Sequence, residues 1–296
     1  MNRTAIEVAS QPGTWREALA LHASGLRGLP AAGERVAVIG CGTSWFMAQS
    51  YAVLREQAGQ GETDAFTATE FPAGRAYDRI VTISRSGTTT EIVDLLAGSA
   101  GPSVLITAVA GGPAAANADH EIVLDFADEE SVVQTRFATT ALLLLRASVV
   151  GTGALDTVPE AADAALAQDL PQAWVDADQV TFLGTGWTIG LAHEAALKMR
   201  ESSQFWTESY PAMEYRHGPI AIAQPGRLVW VFGPTPAGLA DDVAATGATL
   251  VSSDLDPLAQ LVVLHRLAVA RAEARGLDAD TPRNLTRSVI LDPGAH

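Results

Sequence analysis

Three charged residues share one face of a predicted helix in the second half of the chain. Glu194, Lys198 and Glu201 stand at i, i+4 and i+7 within residues 192–201, a spacing that puts their side chains on one side of a helix. Such a row is ordinarily a set of solvated ion pairs. Lys198, however, is the only lysine among the 19 basic residues of the chain. The spacing therefore leaves a solvated row and a site for proton chemistry both open.

One histidine stands apart from the other five. His217 is followed by Gly218 and Pro219, so no helix continues past it and we predict that it lies on a bend. An imidazole titrates near neutral pH and can therefore move protons. We interpret the remaining histidines as structural or surface residues: His22, His120, His193, His265 and His296. No histidine pair has metal-ligand spacing, so we expect no metal site.

Two glycine turns, 144 residues apart, each follow an apolar segment and precede a helical pattern. They end residues 36–42 and 180–186. The free N–H groups at a helix start can bind phosphate, with Thr43 and Ser44 beside the first turn. Neither turn has the third glycine of a dinucleotide fingerprint or the lysine of a P-loop. A phosphate site and a plain capped turn both remain open, and no cofactor is indicated.

A third turn is rich in hydroxyl groups. Residues 84–90 contain five Ser and Thr side chains directly after the apolar residues 81–83. Hydroxyl and N–H groups can hold a phosphate dianion without much positive charge, which suits an acidic protein. Arg85 could add charge here or point to solvent, and an over-capped helix start is the alternative. At the carboxyl edge of one parallel sheet, this turn and the first glycine turn would converge.

Short apolar runs alternate with longer helical patterns, which predicts parallel βαβ units. Beside the two runs that end in glycine turns, we predict strands at residues 79–83, 103–108, 121–124, 228–232 and 249–252. The fold class is therefore α/β, with two related subdomains, each a parallel sheet flanked by helices in a three-layer sandwich. We place an N-terminal helical segment at 1–25, the first subdomain at 26–155, a linker at 156–173 and the second subdomain at 174–296.

Composition excludes several classes of protein. Of 296 residues, 48% are hydrophobic and 18% charged, which excludes a mainly disordered chain. The net charge of −15 repels nucleic acid and anionic membranes. No apolar run is long enough to span a membrane, and no secretory signal is visible. The single cysteine, Cys41, excludes an intrachain disulfide. We expect a cytoplasmic protein.

Four motifs, in register along nearly the whole chain, resemble the sugar isomerase (SIS) domain family. They are G-C-G-T-S at 40–44, I-S-R-S-G-T-T at 83–89, E-A-A-L-K-M-R-E with E-Y-R-H-G-P-I-A at 194–221, and P-R-N-L-T-R-S-V at 282–289. The pattern is similar to the double-SIS isomerase half of glucosamine-6-phosphate synthase and to stand-alone phosphosugar isomerases and deaminases. The resemblance implies a homodimer with shared active sites and a phosphosugar ligand.

The resemblance also implies roles for individual residues. The residues that match the phosphate-binding loops are Thr43, Ser44, Ser84, Arg85, Ser86 and Thr89. Val132 and Gln134 match the segment that lines the sugar. Glu201 matches the base that moves a proton between C1 and C2, and Lys198 the lysine beside the sugar. His217 matches the histidine that opens the sugar ring and comes from the partner subunit.

One position departs from the family pattern. Where the synthases have an imine-forming lysine in N-L-A-K-S-V, this chain has Arg287. A guanidinium stays protonated and cannot form an imine with a carbonyl. Because the sequence also has no counterpart of the synthase's glutaminase domain, we expect no ammonia transfer to fructose 6-phosphate. Arg287 could contact the substrate or only the helix beneath it.

What remains is proton abstraction at C2 of an open-chain hexosamine 6-phosphate. With a free 2-amino group this gives isomerisation with release of ammonia, which we rank first. With an acetamido group the same carbanion can expel the C3 hydroxyl, a dehydratase reaction, and a fructosamine substrate would give deglycation. A phosphosugar-binding protein without turnover is the alternative of another class.

Overall fold

The computed structural model describes residues 2–72, 74–99 and 101–292. Its helices are α1 (Arg3–Ala9), α2 (Gln11–Ala23), α3 (Thr43–Gln57), α4 (Thr90–Gly98), α5 (Arg136–Val150), α6 (Val158–Ala167), α7 (Gln172–Val175), α8 (Thr188–Ser203), α9 (Leu239–Thr246) and α10 (Pro257–Ala274). Its strands are β1 (Val36–Gly40), β2 (Thr63–Phe66), β3 (Arg79–Ile83), β4 (Ser103–Thr107), β5 (His120–Val123), β6 (Gln179–Gly184), β7 (Thr207–Pro211), β8 (Arg227–Phe232) and β9 (Thr249–Val251).

The chain divides into two compact units. Among the described residues, the first unit comprises 13–156 and 285–292, and the second comprises 2–12 and 157–284. The C-terminal segment thus belongs to the unit that holds the hydroxyl-rich turn. There the N–H of Thr90 donates to the carbonyl of Val289 at 3.2 Å.

The first unit is built on a parallel sheet in the order β2-β1-β3-β4-β5. Side chains alternate along a strand, so Ala37 and Ile39 pack towards α4, where they join Ile92 and Leu96 in one apolar cluster. The intervening residues of β1 are buried as well, and α3 packs against this strand and against α5. Covered on both faces, β1 reads as an unbroken apolar run, which is why the sequence predicts it well.

The second unit holds a parallel sheet in the order β7-β6-β8-β9. Leu183, Val229 and Val231 pack with Leu239 and Val243 of α9. Helix α8 packs against β6 and α10, and α10 also packs against α6. Two parallel sheets with flanking helices confirm the predicted α/β class.

The structure adds elements that the sequence pattern did not predict. Strands β2 and β7 lie at sheet edges, are mostly half-buried and carry polar residues, so neither shows an apolar run. The N-terminal helical segment, predicted at 1–25, is divided between α1 and α2. Part of the predicted linker forms α6, with a proline in its first turn, where the missing N–H costs nothing.

The two glycine turns have the same local geometry. A Cβ at Gly40 would lie 2.4 Å from the carbonyl carbon of Ser44, and one at Gly184 would lie 2.3 Å from the carbonyl oxygen of Thr188. Two residues on, Gly42 and Gly186 have φ of 55° and 58°. Each helix therefore begins directly against the end of its strand, as only glycine at both positions allows.

Candidate active site

A small cavity of about 30 Å³ lies in the first unit at the ends of its central strands. Its polar lining comes from four places along the chain: the start of α3, the turn after β3, the segment before α5 and the C-terminal segment. The candidate residues that line it are Ser44, Ser84, Arg85, Ser86, Thr89, Gln134 and Arg287. The structure thus brings together seven of the nine predicted phosphate- and sugar-binding residues.

One polar atom in this lining is buried without a hydrogen-bond partner among the described residues, the side-chain oxygen Oε1 of Gln134. Ser44 and Ser84, which are 2% and 5% exposed, line the same cavity with their hydroxyl-bearing side chains. Buried polar groups are normally paired, so the unpaired oxygen beside these serines indicates a site for a polar ligand.

Ser288 is a further hydroxyl at this turn that sequence reasoning missed. Its Oγ lies 3.2 Å from Ser86 Oγ, 2.9 Å from Thr88 Oγ1 and 3.4 Å from Thr89 Oγ1. The C-terminal segment therefore closes one side of the hydroxyl-rich turn. Only the chain path reveals this, because Ser288 is about 200 residues away from the turn in sequence.

Arg85 does not point to solvent. Its guanidinium is buried and donates to the carbonyl oxygens of Ser131, Val132 and Arg287 at 2.9–3.2 Å. The side chain of Arg287 is partly exposed and pairs with Asp128 at 2.5 Å. The cavity thus has one accessible guanidinium at its edge and one that binds the main chain around it.

Two candidates of the first unit lie outside the cavity lining. Thr43 is buried in the first turn of α3, and Val132 is half-buried in the segment before α5. Cys41 does line the cavity, and burial raises the pKa of its thiol. A raised pKa keeps the thiol protonated, which argues against a nucleophilic role.

The charged row in the second unit is buried rather than solvated. Lys198 and Glu194 are each 1% exposed, with Lys198 Nζ 3.6 Å from Glu194 Oε1. Lys198 Nζ also donates to Glu201 Oε2, and the Glu201 side chain is 18% exposed. The sheltered ammonium therefore holds two carboxylates, of which only Glu201 reaches solvent.

His265 of α10 lies near this cluster, although no sequence motif distinguishes it from the other histidines. Burial lowers its pKa to about 3, and the charge of Lys198 contributes. Gln11 Nε2 contacts both the carbonyl of Val8 at 3.2 Å and His265 Nδ1 at 3.3 Å. Since a carbonyl only accepts, Gln11 Nε2 donates to both, and the neutral ring carries its proton on Nε2.

Acid should destabilise the protein partly through His265. The unfolded chain binds a proton near the ordinary pKa of 6.5, whereas the folded chain does not bind it until about pH 3. Stability should therefore fall as pH drops below about 6.5, by up to about 1.4 kcal/mol per pH unit from this group. We expect His265→Gln to flatten the pH dependence of the free energy of unfolding, measured by urea titration between pH 6.5 and pH 5. The exposed His120→Gln variant is the control, and an equal slope in all three proteins would contradict the assignment.

His217 lies on a bend, as predicted. It ends a short 3₁₀ turn (Glu214–His217), and Gly218 follows with φ of 145°. The imidazole is exposed, and no hydrogen bond or ion pair joins it to Glu201 or Lys198 in the described residues. Its role in ring opening stays a prediction.

Other features of the described residues carry no candidate. A larger cavity of about 680 Å³ in the first unit is lined by Phe71, Tyr77 and Glu91 among others, but by none of the predicted site residues. The smaller cavity is the candidate site, because seven predicted site residues and the unpaired Gln134 oxygen lie there. In the described ranges no cluster of His, Cys, Asp and Glu could hold a metal ion, and no helix has the length and apolarity to cross a bilayer.

Comparisons with known proteins agree with this architecture. The SIS domain family matches residues 31–150. The chain is 28% identical, over 88% of its length, to a glutamine–fructose-6-phosphate aminotransferase (isomerizing) of Methanothermobacter thermautotrophicus, of which it covers 52%. It thus spans about half the length of the curated relatives it matches.

Two solved structures share the fold over nearly the whole chain. The C-terminal domain of glucosamine-fructose-6-phosphate aminotransferase from Francisella tularensis has a TM-score of 0.83 at 22% identity, covering 95% of this chain and 98% of that one. A glucosamine-6-phosphate deaminase from Thermotoga maritima has a TM-score of 0.82 at 24% identity, covering 98% and 100%. At identities below 25%, these similarities show a shared α/β fold. Within this fold, residues 31–150 are the part of the chain that matches the SIS domain family.

Proposed function

We propose that the chain binds a hexosamine 6-phosphate and catalyses aldose–ketose isomerisation with release of ammonia. The observation that carries this proposal is the polar lining of the first-unit cavity, where serine residues stand beside the unpaired Gln134 oxygen. The hydroxyls of Ser44 and Ser84 can donate to phosphate oxygens. Gln134 Oε1 accepts only, so it needs a donor that a phosphate dianion lacks and a sugar hydroxyl supplies. A phosphate ester of a sugar satisfies both kinds of group.

Glu201 is the proposed base. Its carboxylate reaches solvent while Lys198 anchors it from the buried side. In the proposed reaction Glu201 removes the C2 proton and returns it at C1, and Lys198 stabilises the negative charge that develops on the enolamine intermediate. The product is a 2-imine, which water hydrolyses to the ketose and ammonia. His217, exposed on its bend and supplied by the partner of a homodimer, opens the sugar ring. The phosphate anchors the substrate and contributes orientation.

The names of the relatives support an amino sugar as substrate. One similar structure is a glucosamine-6-phosphate deaminase, and the curated relatives are aminotransferases that act with fructose 6-phosphate. Arg287 stands where the synthases form an imine, which favours release of ammonia over its transfer. Dehydration of the N-acetylated sugar and deglycation are further outcomes that the experiment below can reveal.

Ser84→Ala should weaken phosphate binding without weakening the fold. Ser84 lines the cavity, and the hydroxyl contacts that join its turn to Ser288 come from other residues of the turn, so they remain when the Ser84 hydroxyl is removed. Loss of a hydrogen bond to a charged ligand is worth about 1.5–3 kcal/mol, or roughly a 10- to 150-fold increase in Kd. Isothermal titration with inorganic phosphate measures it, beside urea unfolding. Unchanged affinity would contradict the phosphate site.

Proton NMR in D2O tests the reaction itself. Purified protein is incubated with glucosamine 6-phosphate and, separately, with N-acetylglucosamine 6-phosphate. Loss of the C2 proton signal from glucosamine 6-phosphate, with a ketose and ammonia as products, is the expected result. An alkene signal from the acetylated sugar would show that the protein catalyses dehydration, and the proposal of deamination would then be wrong. No exchange on either sugar would overturn the proposal, and ligand-induced thermal stabilisation without exchange would identify a binding protein.

A further inference from the structure

Arg85 binds three carbonyl oxygens on two separate segments of the first unit. Its side chain is 1% exposed. Nη1 donates to Ser131 at 2.9 Å, and Nη2 donates to Val132 at 3.2 Å and to Arg287 at 3.0 Å. Main-chain carbonyls thus engage both terminal nitrogens. The guanidinium links the turn after β3 to the segment before α5 and to the C-terminal segment.

Glu129 binds the end of the segment before α5, whose beginning is bound by Arg85. Its side chain is fully buried, and Oε2 lies 3.8 Å from Arg85 Nη1. Oε1 accepts from the N–H of Thr135 at 2.6 Å, the Thr135 hydroxyl at 2.7 Å and the N–H of Arg136 at 2.9 Å. The carboxylate therefore closes the amino terminus of α5, where the helix dipole favours a negative charge.

The two anchors bracket the residues proposed to contact the sugar. Gln134 lies between the Arg85 contacts at Ser131 and Val132 and the Glu129 contacts at Thr135. Arg287, at the edge of the cavity, is held through its own carbonyl. A buried charge pair with all these hydrogen bonds fixes main-chain geometry more strongly than apolar packing would.

We infer that Arg85 and Glu129 are a positioning pair that sets the sugar-contacting part of the site, and that Arg85 is not a phosphate ligand. The inference rests on the proposed function, since it assigns residues around Gln134 to a phosphosugar. A direct phosphate ligand and a positioning residue differ in one measurable way. Loss of a phosphate ligand weakens every phosphate compound, whereas loss of the positioning residue weakens the sugar phosphate more than phosphate alone.

The test compares two ligands, inorganic phosphate and glucosamine 6-phosphate, by isothermal titration. For Arg85→Met we expect the Kd of glucosamine 6-phosphate to rise at least about tenfold and that of inorganic phosphate less than about threefold; tenfold corresponds to about 1.4 kcal/mol. Ser84→Ala is the comparison variant and should weaken both ligands by similar factors. Equal weakening of both ligands by Arg85→Met, or weakening of neither, would overturn the inference.

A second variant guards against loss of the fold. Arg85→Met leaves the buried Glu129 carboxylate without its cation, which is destabilising. Arg85→Met/Glu129→Gln removes both charges and keeps an acceptor oxygen for Thr135. We expect this double variant to recover much of the thermal stability but to keep the selective loss of sugar-phosphate affinity. Recovery of that affinity would overturn the inference. Wild-type protein that binds phosphate but not glucosamine 6-phosphate would overturn the proposed function, and this inference with it.

Discussion

Glu201→Gln is expected to slow proton exchange at C2 by about 10²- to 10⁴-fold, the usual contribution of a positioned general base. An amide cannot take up the proton, yet it has nearly the shape of the carboxylate and can still accept from Lys198. The Kd of glucosamine 6-phosphate should therefore stay close to the wild-type value. Exchange is measured by proton NMR in D2O, and binding by titration calorimetry.

The control for this variant is Glu17→Gln. Glu17 is an exposed carboxylate on α2 in the first unit, outside the candidate site. The Glu17→Gln variant changes the net charge by the same amount as Glu201→Gln and should leave proton exchange at C2 at the wild-type rate. If Glu201→Gln exchanged the C2 proton as fast as Glu17→Gln, Glu201 would not be the base, and the proton acceptor would have to be sought elsewhere.

The central strands of both sheets could be predicted because a strand that is buried on both faces consists of consecutive apolar residues. Val36 to Ile39 and Val180 to Leu183 are short apolar runs that end in glycine. The edge strands have no such apolar run. β2 and β7 pair on one side only and carry Asp64 and Glu208 within them. Their place is set by the neighbouring strand rather than by their own residues.

The candidate site could likewise be predicted from the sequence only in part. The hydroxyl-rich turn and the spacing of Lys198 with its carboxylates are local patterns, and the structure places the first at a cavity and buries the second. Ser288 and Glu129 act at positions that are distant in the chain or separated by an irregular segment. His265 is one residue in an apolar helix pattern, and only the packing of α10 on α8 brings it near Lys198. Contacts between residues that are distant in the sequence produce no periodic pattern or motif from which they could be predicted.

Lys198→Met is expected to damage stability and activity for different reasons. With the ammonium gone, Glu194 is a buried carboxylate without its cation, and Glu201 loses its anchor. Breaking a buried pair in this way costs about 3–5 kcal/mol of unfolding free energy. Removing one partner of the exposed pair between Arg35 and Glu62, by Glu62→Gln, should cost at most about 1 kcal/mol. Urea unfolding measures both.

Adding Glu194→Gln separates the two effects. In Glu194→Gln/Lys198→Met the buried carboxylate becomes a neutral amide, so most of the lost unfolding free energy should return. Proton exchange at C2 should stay low, because the ammonium that would stabilise the negatively charged intermediate and orient Glu201 is gone. If exchange recovered together with stability, Lys198 would be needed only to neutralise Glu194, and its place in the chemistry would have to be given up. Stability restored without exchange would assign the ammonium to the reaction, since no fold defect would then account for the missing rate.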